Sequence, residues 1–186
     1  MPRWLFSLLL VMTMGRALGQ QVLSDSTAAL TFTRSVSVPL NALMLFDRAM
    51  GSWTWTFGQE PGTKLLRSDR EAGVIEGIAR VNFRSEMLSN REESMGVIQY
   101  RIIINIKPGE CRTVITELVH SGNNNSSRPA VHMGLLTRSL APSNRIGTMG
   151  RTSQIKLYAE IKGTATERIR AVMQAFDSRL RSETGP

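Results

Sequence analysis

The chain carries few side chains with chemistry of their own: one cysteine and two histidines in 186 residues. Cys111 and His120 could serve as a thiolate nucleophile and its base. As residues of one strand they would stand roughly 25–30 Å apart, beyond hydrogen-bond reach. Cys111 therefore reads as a small buried residue rather than a reactive thiol. His120 and His132 flank a loop with no carboxylate at metal-ligand spacing. A single cysteine excludes an intrachain disulfide framework and any multi-cysteine zinc or iron–sulfur site. Glu92-Glu93 reads as a charged loop between strands, not as an acid–base pair. The motifs His-Glu-x-x-His, Gly-x-Ser-x-Gly and Cys-x-x-Cys and the phosphate-binding glycine loop are all absent. No cofactor or metal is implied. An enzyme of unrecognised type would need a cleft with a titratable cluster that the sequence does not advertise.

Charge is the remaining signal. Lys and Arg total 23 against 15 Asp and Glu, a formal +8. Residues 118–159 contain no acid and carry Arg128, Arg138, Arg145, Arg151 and Lys156. Such a segment could contact anionic lipid headgroups, polysaccharide or an acidic partner, at about 1 kcal/mol per residue near anionic lipid, so an envelope protein or an anionic envelope surface is the partner it suggests. The plain alternative is a solvated loop.

A second candidate surface comes from strand pairing. Val97 to Lys107 is the strongest strand, β-branched through much of its length. Pro108-Gly109, suited to a type II turn, reverses it into Cys111 to His120. With Lys107 opposite Glu110, one face holds Ile106/Cys111, Ile104/Thr113, Ile102/Ile115, Tyr100/Glu117 and Ile98/Val119. That face is mostly apolar and should meet helices. The other holds Asn105/Arg112, Ile103/Val114, Arg101/Thr116, Gln99/Leu118 and Val97/His120, and is half polar. Gln99, Arg101, Arg112, Thr116 and His120 are thus the candidate partner-facing residues. A slip of one residue would exchange the faces of the last strand.

The elements that must position this hairpin follow from periodicity. Leu30, Phe32, Val36 and Val38 share one parity and read as a first strand. Pro39 suits the first turn of a helix. Leu43, Phe46, Met50, Trp53 and Phe57 then form an apolar stripe on a helix reaching about Trp55, closed by Gly58 and Pro61. Lys64 to Asp69 and Val74 to Phe83 read as strands around a Glu71-Ala72-Gly73 turn. Residues 121–162 read as a long basic loop, with Ile155 to Ile161 a short strand or a helical lead-in. Thr164 and Glu167 make a capping box for a last helix whose buried stripe is Ile169, Val172, Met173, Phe176 and Leu180. Tyr100, Trp53 and Trp55 read as core. This β-α-β-β-β-β-α order predicts an α+β domain: a curved antiparallel sheet of about five strands with two helices on one face.

The first nineteen residues read as a secretory signal: Arg3, an apolar run from Trp4 to Met14, and the small residues Ala17-Leu18-Gly19. Cleavage near Gly19/Gln20 would leave a chain of +6, a loose leader over 20–29 and a single domain over 30–186. The apolar run is too short to span a bilayer, and no other stretch is long enough. The expected location is the periplasm or the exterior.

Three segments make the chain resemble exported bacterial proteins of a domain-of-unknown-function family with a TATA-binding-protein-like (TBP-like) fold. They are Phe46-Asp47-Arg48-Ala49, Asp69 to Gly77, and Tyr100 to Arg112. Pro108 stands where that family usually has Asp, and Cys111 and Thr113 stand where it usually has aromatics. The resemblance implies the fold but no activity, substrate or catalytic residue. The expected function is therefore a non-enzymatic binding or interaction domain of the cell envelope. The alternative is a structural or assembly component that contacts anionic surface through residues 118–159. Export argues against nucleic acid as the partner.

Overall fold

Runs of alternating apolar residues fold into strands, of which the second to the fifth pair with their sequence neighbours while the first crosses over to pair with the fifth. In a computed structural model, which describes residues 28–87, 92–125, 128–143, 146–147 and 149–182, the elements follow in chain order. They are β1 (Phe32–Ser37), α1 (Ala42–Thr54), β2 (Lys64–Asp69), β3 (Val74–Phe83), β4 (Gly96–Lys107), β5 (Glu110–Gly122), β6 (Gly134–Leu135) and α2 (Arg151–Arg181). The sheet is antiparallel in the order β1-β5-β4-β3-β2, with the short β6 paired to the far end of β5. Both helices pack on one face, which makes this an α+β domain with an open second face. The expected signal over 1–19 and nearly all of the leader lie outside the described residues. Among the described residues, no helix is long and apolar enough to cross a membrane.

The helix-side face of β4 is Ile98, Tyr100, Ile102, Ile104 and Ile106, all buried. On β3 the matching positions include Gly77 and Ala79, small because Trp53 of α1 lies directly above. A Cβ on Gly77 would stand 2.6 Å from the Trp53 ring. Trp53, Phe57 and Phe176 form a chain of tilted rings with centroids 5.4 Å apart at each step, joining α1 to α2 over the sheet. Leu157, Ile161, Ile169, Phe176 and Leu180 of α2 complete this core.

The hairpin keeps the expected pairing from Lys107↔Glu110 through Ile102↔Ile115 to Arg101↔Thr116 and then departs from it. Glu117 is the one described non-glycine residue at positive φ, at 55°. Glu117 and Leu118 together oppose Tyr100, a bulge after which the pairing becomes Gln99↔Val119, Ile98↔His120 and Val97↔Ser121. The expected pairs Tyr100/Glu117, Ile98/Val119, Gln99/Leu118 and Val97/His120 are therefore wrong. Leu118 and His120 turn into the core, and Val119 turns out.

Other boundaries move for local reasons. Pro39 lies before α1 rather than in its first turn: Asn41 caps the helix, its side-chain oxygen accepting from the Met44 N–H at 2.9 Å. The stripe of α1 is Leu45, Phe46, Ala49 and Trp53, while Leu43 is exposed. Trp55 is also exposed and carries the Arg179 guanidinium over its ring, so it is not core. α2 begins at Arg151, and Gln154, Leu157, Tyr158, Ile161 and Ala165 extend its buried stripe backwards. The long segment therefore ends before residue 151, and Thr164 and Glu167 lie inside the helix rather than at its start. The segment is also held inward: Val131, Met133 and Leu136 are buried, and the Leu136 N–H donates to Leu118 O at 2.8 Å.

Two substitutions test this account in urea denaturation. Gly77→Ala is expected to cost about 1–3 kcal/mol through overpacking against Trp53. Glu117→Val, a β-branched residue forced to positive φ, should cost about 1–2 kcal/mol, whereas Glu117→Gly should stay within about 0.5 kcal/mol of the parent.

Candidate functional site

The open face is built by the alternate residues of β2 to β5. Val74, Ile78, Ile103 and Val114 form a half-buried aliphatic floor. The register places Lys64 and Asp69 of β2 beside Ile78 and Val74, and Arg101 and Asn105 of β4 on their other side. Thr116 and Arg112 of β5 follow in the same two rows. No aromatic side chain belongs to this face among the described residues.

The sequence-predicted residues fare differently. Arg101 is on the face but is already neutralised. Its Nε donates to Glu76 Oε1 at 2.7 Å, a second nitrogen also contacts that oxygen, and Glu117 Oε1 lies 3.5 Å from the third. The two carboxylates raise its pKa further, Glu76 contributing most. Thr116 is on the face, its hydroxyl 3.2 Å from that of Thr31. Gln99 and Arg112 are on the face and exposed. Arg112 borders a hollow of about 300 Å³ together with Asn105, Lys107, Glu110 and Val114. None of these last four was singled out from the sequence as a site residue, although the parity of Arg101 and Arg112 marks them.

His120 does not belong to the face. It is fully buried on the helix side, edge-on to Phe83, and its Nδ1 accepts the Met133 N–H at 3.3 Å. That assignment leaves the proton on Nε2, which has no partner among the described residues. Burial, and after it the neighbouring His132, lower its pKa to about 4. His132 in turn accepts the Gly122 N–H at 3.2 Å, so both imidazoles hold the returning segment against β5. Cys111 is buried, and burial followed by the Asp177 and Glu110 carboxylates pushes its thiol up to about 12. Such a thiol is inert as a nucleophile. Among the described residues no three of His, Cys, Asp and Glu converge as a metal site.

The basic segment is divided between loop and helix. Arg128 and Arg138 are exposed on the loop, and the Arg138 backbone N–H is tied to Ala28 O. Arg151 and Lys156 lie on α2, both exposed, with an Arg151 nitrogen 3.5 Å from Pro142 O. Arg145 lies outside the described residues. The described part of the segment runs to the edge of β5 and to the helix side, so it leaves Arg101 and Arg112 uncovered.

The chain matches no family model and no curated protein. Two solved structures share its architecture. One is a DUF4468 family protein from Bacteroides ovatus, 17% identical, with a TM-score of 0.50 over 85% of this chain and 90% of that one. The other is a TBP-like protein from Parabacteroides distasonis, 12% identical, with a TM-score of 0.51 over 80% of this chain and 92% of that one. The fold is TBP-like. At these identities the likeness carries the fold alone, in agreement with the resemblance read from the sequence. A TBP-like fold leaves function to be argued from the residues on the open face.

The buried imidazole yields a pH test. Between pH 6.5 and 4 the unfolded chain protonates this histidine while the folded chain keeps it neutral. Its contribution is therefore complete above pH 6.5 and is lost as pH falls toward 4, by about 3 kcal/mol. Urea midpoints at pH 7 and pH 4.5 should converge in His120→Gln relative to the parent.

Proposed function

We propose that the chain is an exported, non-enzymatic binding domain of the cell envelope that engages its partner through the open sheet face. The supporting observation is that face itself: an aliphatic floor left partly exposed, with Arg112, Lys107, Arg80 and Lys64 exposed around it. In a sheet with helices on one side only, a polar second face would be sufficient for solubility. Ile78, Ile103 and Val114 exceed that need.

Export rests on the apolar run of residues 4–14 and the small residues before Gln20. Its test is the N-terminal residue of the protein recovered from the periplasm of an expressing bacterium, expected to be Gln20. The alternative role, contact of residues 118–159 with anionic surface, draws on the exposure of Arg138 and Lys156. Nucleic acid is disfavoured by export and by the absence, among the described residues, of any ring on the face for base stacking.

Envelope fractions distinguish the two roles. Lys107→Ala with Arg112→Ala should lower retention of the purified protein on envelope about tenfold, and Arg138→Ala with Lys156→Ala should leave it unchanged. Retention that disappears with the second pair and survives the first would assign the contact to the basic segment.

A further inference from the structure

We infer that the occupant of the open face is an acidic protein segment with an apolar stripe, a refinement that rests on the binding reading above. The charges of the face fall into two groups. Arg67 pairs with Asp69 at 2.6 Å, and Arg101 pairs with Glu76 and, more loosely, Glu117. These cations are neutralised within the sheet. Lys64, Arg80, Lys107 and Arg112 have no ion-pair partner among the described residues, and Glu110 is the nearby acid that remains.

Their placement has a direction. Lys64 lies opposite Ile78, and Arg80 lies opposite Gln99, at one end of the aliphatic floor. Arg112 lies opposite Asn105, and Lys107 opposite Glu110, at the other. Along β4 the outer cations, Arg80 and Lys107, are roughly 25 Å apart by strand rise, and the inner ones, Lys64 level with Arg101 and Arg112 level with Asn105, roughly 13 Å. A ligand that lays an apolar stripe across Ile78, Ile103 and Val114 must therefore present negative charge at both ends. Carboxylates on one chain satisfy both demands.

Other occupants fit less well. A second copy would set the same unpaired cations against each other, which opposes face-to-face association. A bilayer is planar, whereas the short Val and Ile side chains lie beneath longer Arg and Lys chains. The hollow beside Arg112 recedes further, and among the described residues no Trp, Tyr or Phe stands on the face as an interfacial anchor.

The test titrates the purified protein with two labelled acidic peptides, one alternating Val with Glu and one carrying Leu on a helical face with Glu elsewhere. The probes compared with them are the same peptides with Lys for Glu, phosphatidylglycerol vesicles and a DNA duplex. At least one acidic peptide should bind, and its Lys counterpart should not. Affinity should fall about tenfold or more in Lys107→Glu/Arg112→Glu and, independently, in Lys64→Glu/Arg80→Glu, and hold in Arg138→Glu/Lys156→Glu. All these side chains are exposed, and thermal melts verify that each variant is folded. Vesicle or duplex binding that needs the face cations, without peptide binding, overturns the occupant and keeps the face. Peptide binding indifferent to the face variants, or lost with Arg138→Glu/Lys156→Glu, overturns the face itself. Binding of none of the probes overturns the inference.

Discussion

One left-handed residue decides what each face of the sheet contains. Glu117 at φ 55° adds a residue to β5 opposite Tyr100, and every side chain after it changes sides. Without that step Leu118 and His120 would point to solvent and Val119 into the core. With it, Leu118 accepts the Leu136 N–H through its carbonyl, His120 accepts the Met133 N–H, and the returning segment closes the end of the core. The strain of a non-glycine residue at positive φ is of order 1 kcal/mol. Burial of Leu118 alone offsets it, at about 1.5–3 kcal/mol for a leucine side chain. The same residue turns its carboxylate toward Arg101, so the feature that seals the core also helps neutralise the centre of the open face.

The long helix is seated by polar ties as well as by its apolar stripe. Arg168 makes a two-pronged contact with the buried Glu60, at 2.7 and 3.1 Å, beside the buried Tyr100. Burial and that carboxylate hold the Tyr100 hydroxyl protonated well beyond its ordinary range. Arg34 of β1 reaches Asp177, whose pKa is nonetheless raised because burial outweighs the attraction. Glu160 accepts from the Ser85 hydroxyl at 2.6 Å. These contacts fall at three well-separated points of a helix of about 45 Å. An apolar stripe tolerates sliding by a turn. Pairs of this kind do not, because a shift would strand Glu60 or Asp177 buried and alone.

The legible parts of the fold are those that local pattern determines. Lys64 to Asp69, Val74 to Phe83 and the Pro108-Gly109 turn lie where alternation and turn chemistry put them, with Gly109 at φ 78° as a type II turn requires. The start of α2 is not legible, because Gly163-Thr164 imitates a boundary that packing of Leu157, Tyr158 and Ile161 overrides. Nor is the bulge: glutamate carries no signature for a left-handed backbone, so a correct hairpin still misplaces His120. Of the five face residues read from the sequence, the four before the bulge on β5 or opposite it on β4 stay on the face. The one beyond the bulge leaves it. The misplacement of Trp55 has another cause, since strand-like alternation at the end of α1 conceals that the chain is turning away from the core there.

Charge read as a total also misleads about where a partner could bind. The acid-free stretch holds most of the excess, yet its described part is stitched down. Its Leu136 carbonyl accepts from Leu30 N–H at 2.9 Å, Tyr158 receives the Thr137 N–H at 2.8 Å, and Lys162 donates to Ser139 O at 2.6 Å. Its cations point outward from separate elements, Arg128 and Arg138 from the loop and Arg151 and Lys156 from α2, and the apolar side chains exposed among them, Leu135, Leu140 and Ile155, are likewise divided between loop and helix. On the open face fewer cations remain after internal pairing, but they border Ile78, Ile103 and Val114. Charges beside an apolar floor lose water together with it on binding, and an ion pair made there is worth more than one made in bulk solvent. Local neutralisation at Arg101 and Arg67 then sharpens the pattern, because it leaves positive charge at the two ends of the floor and none in its middle.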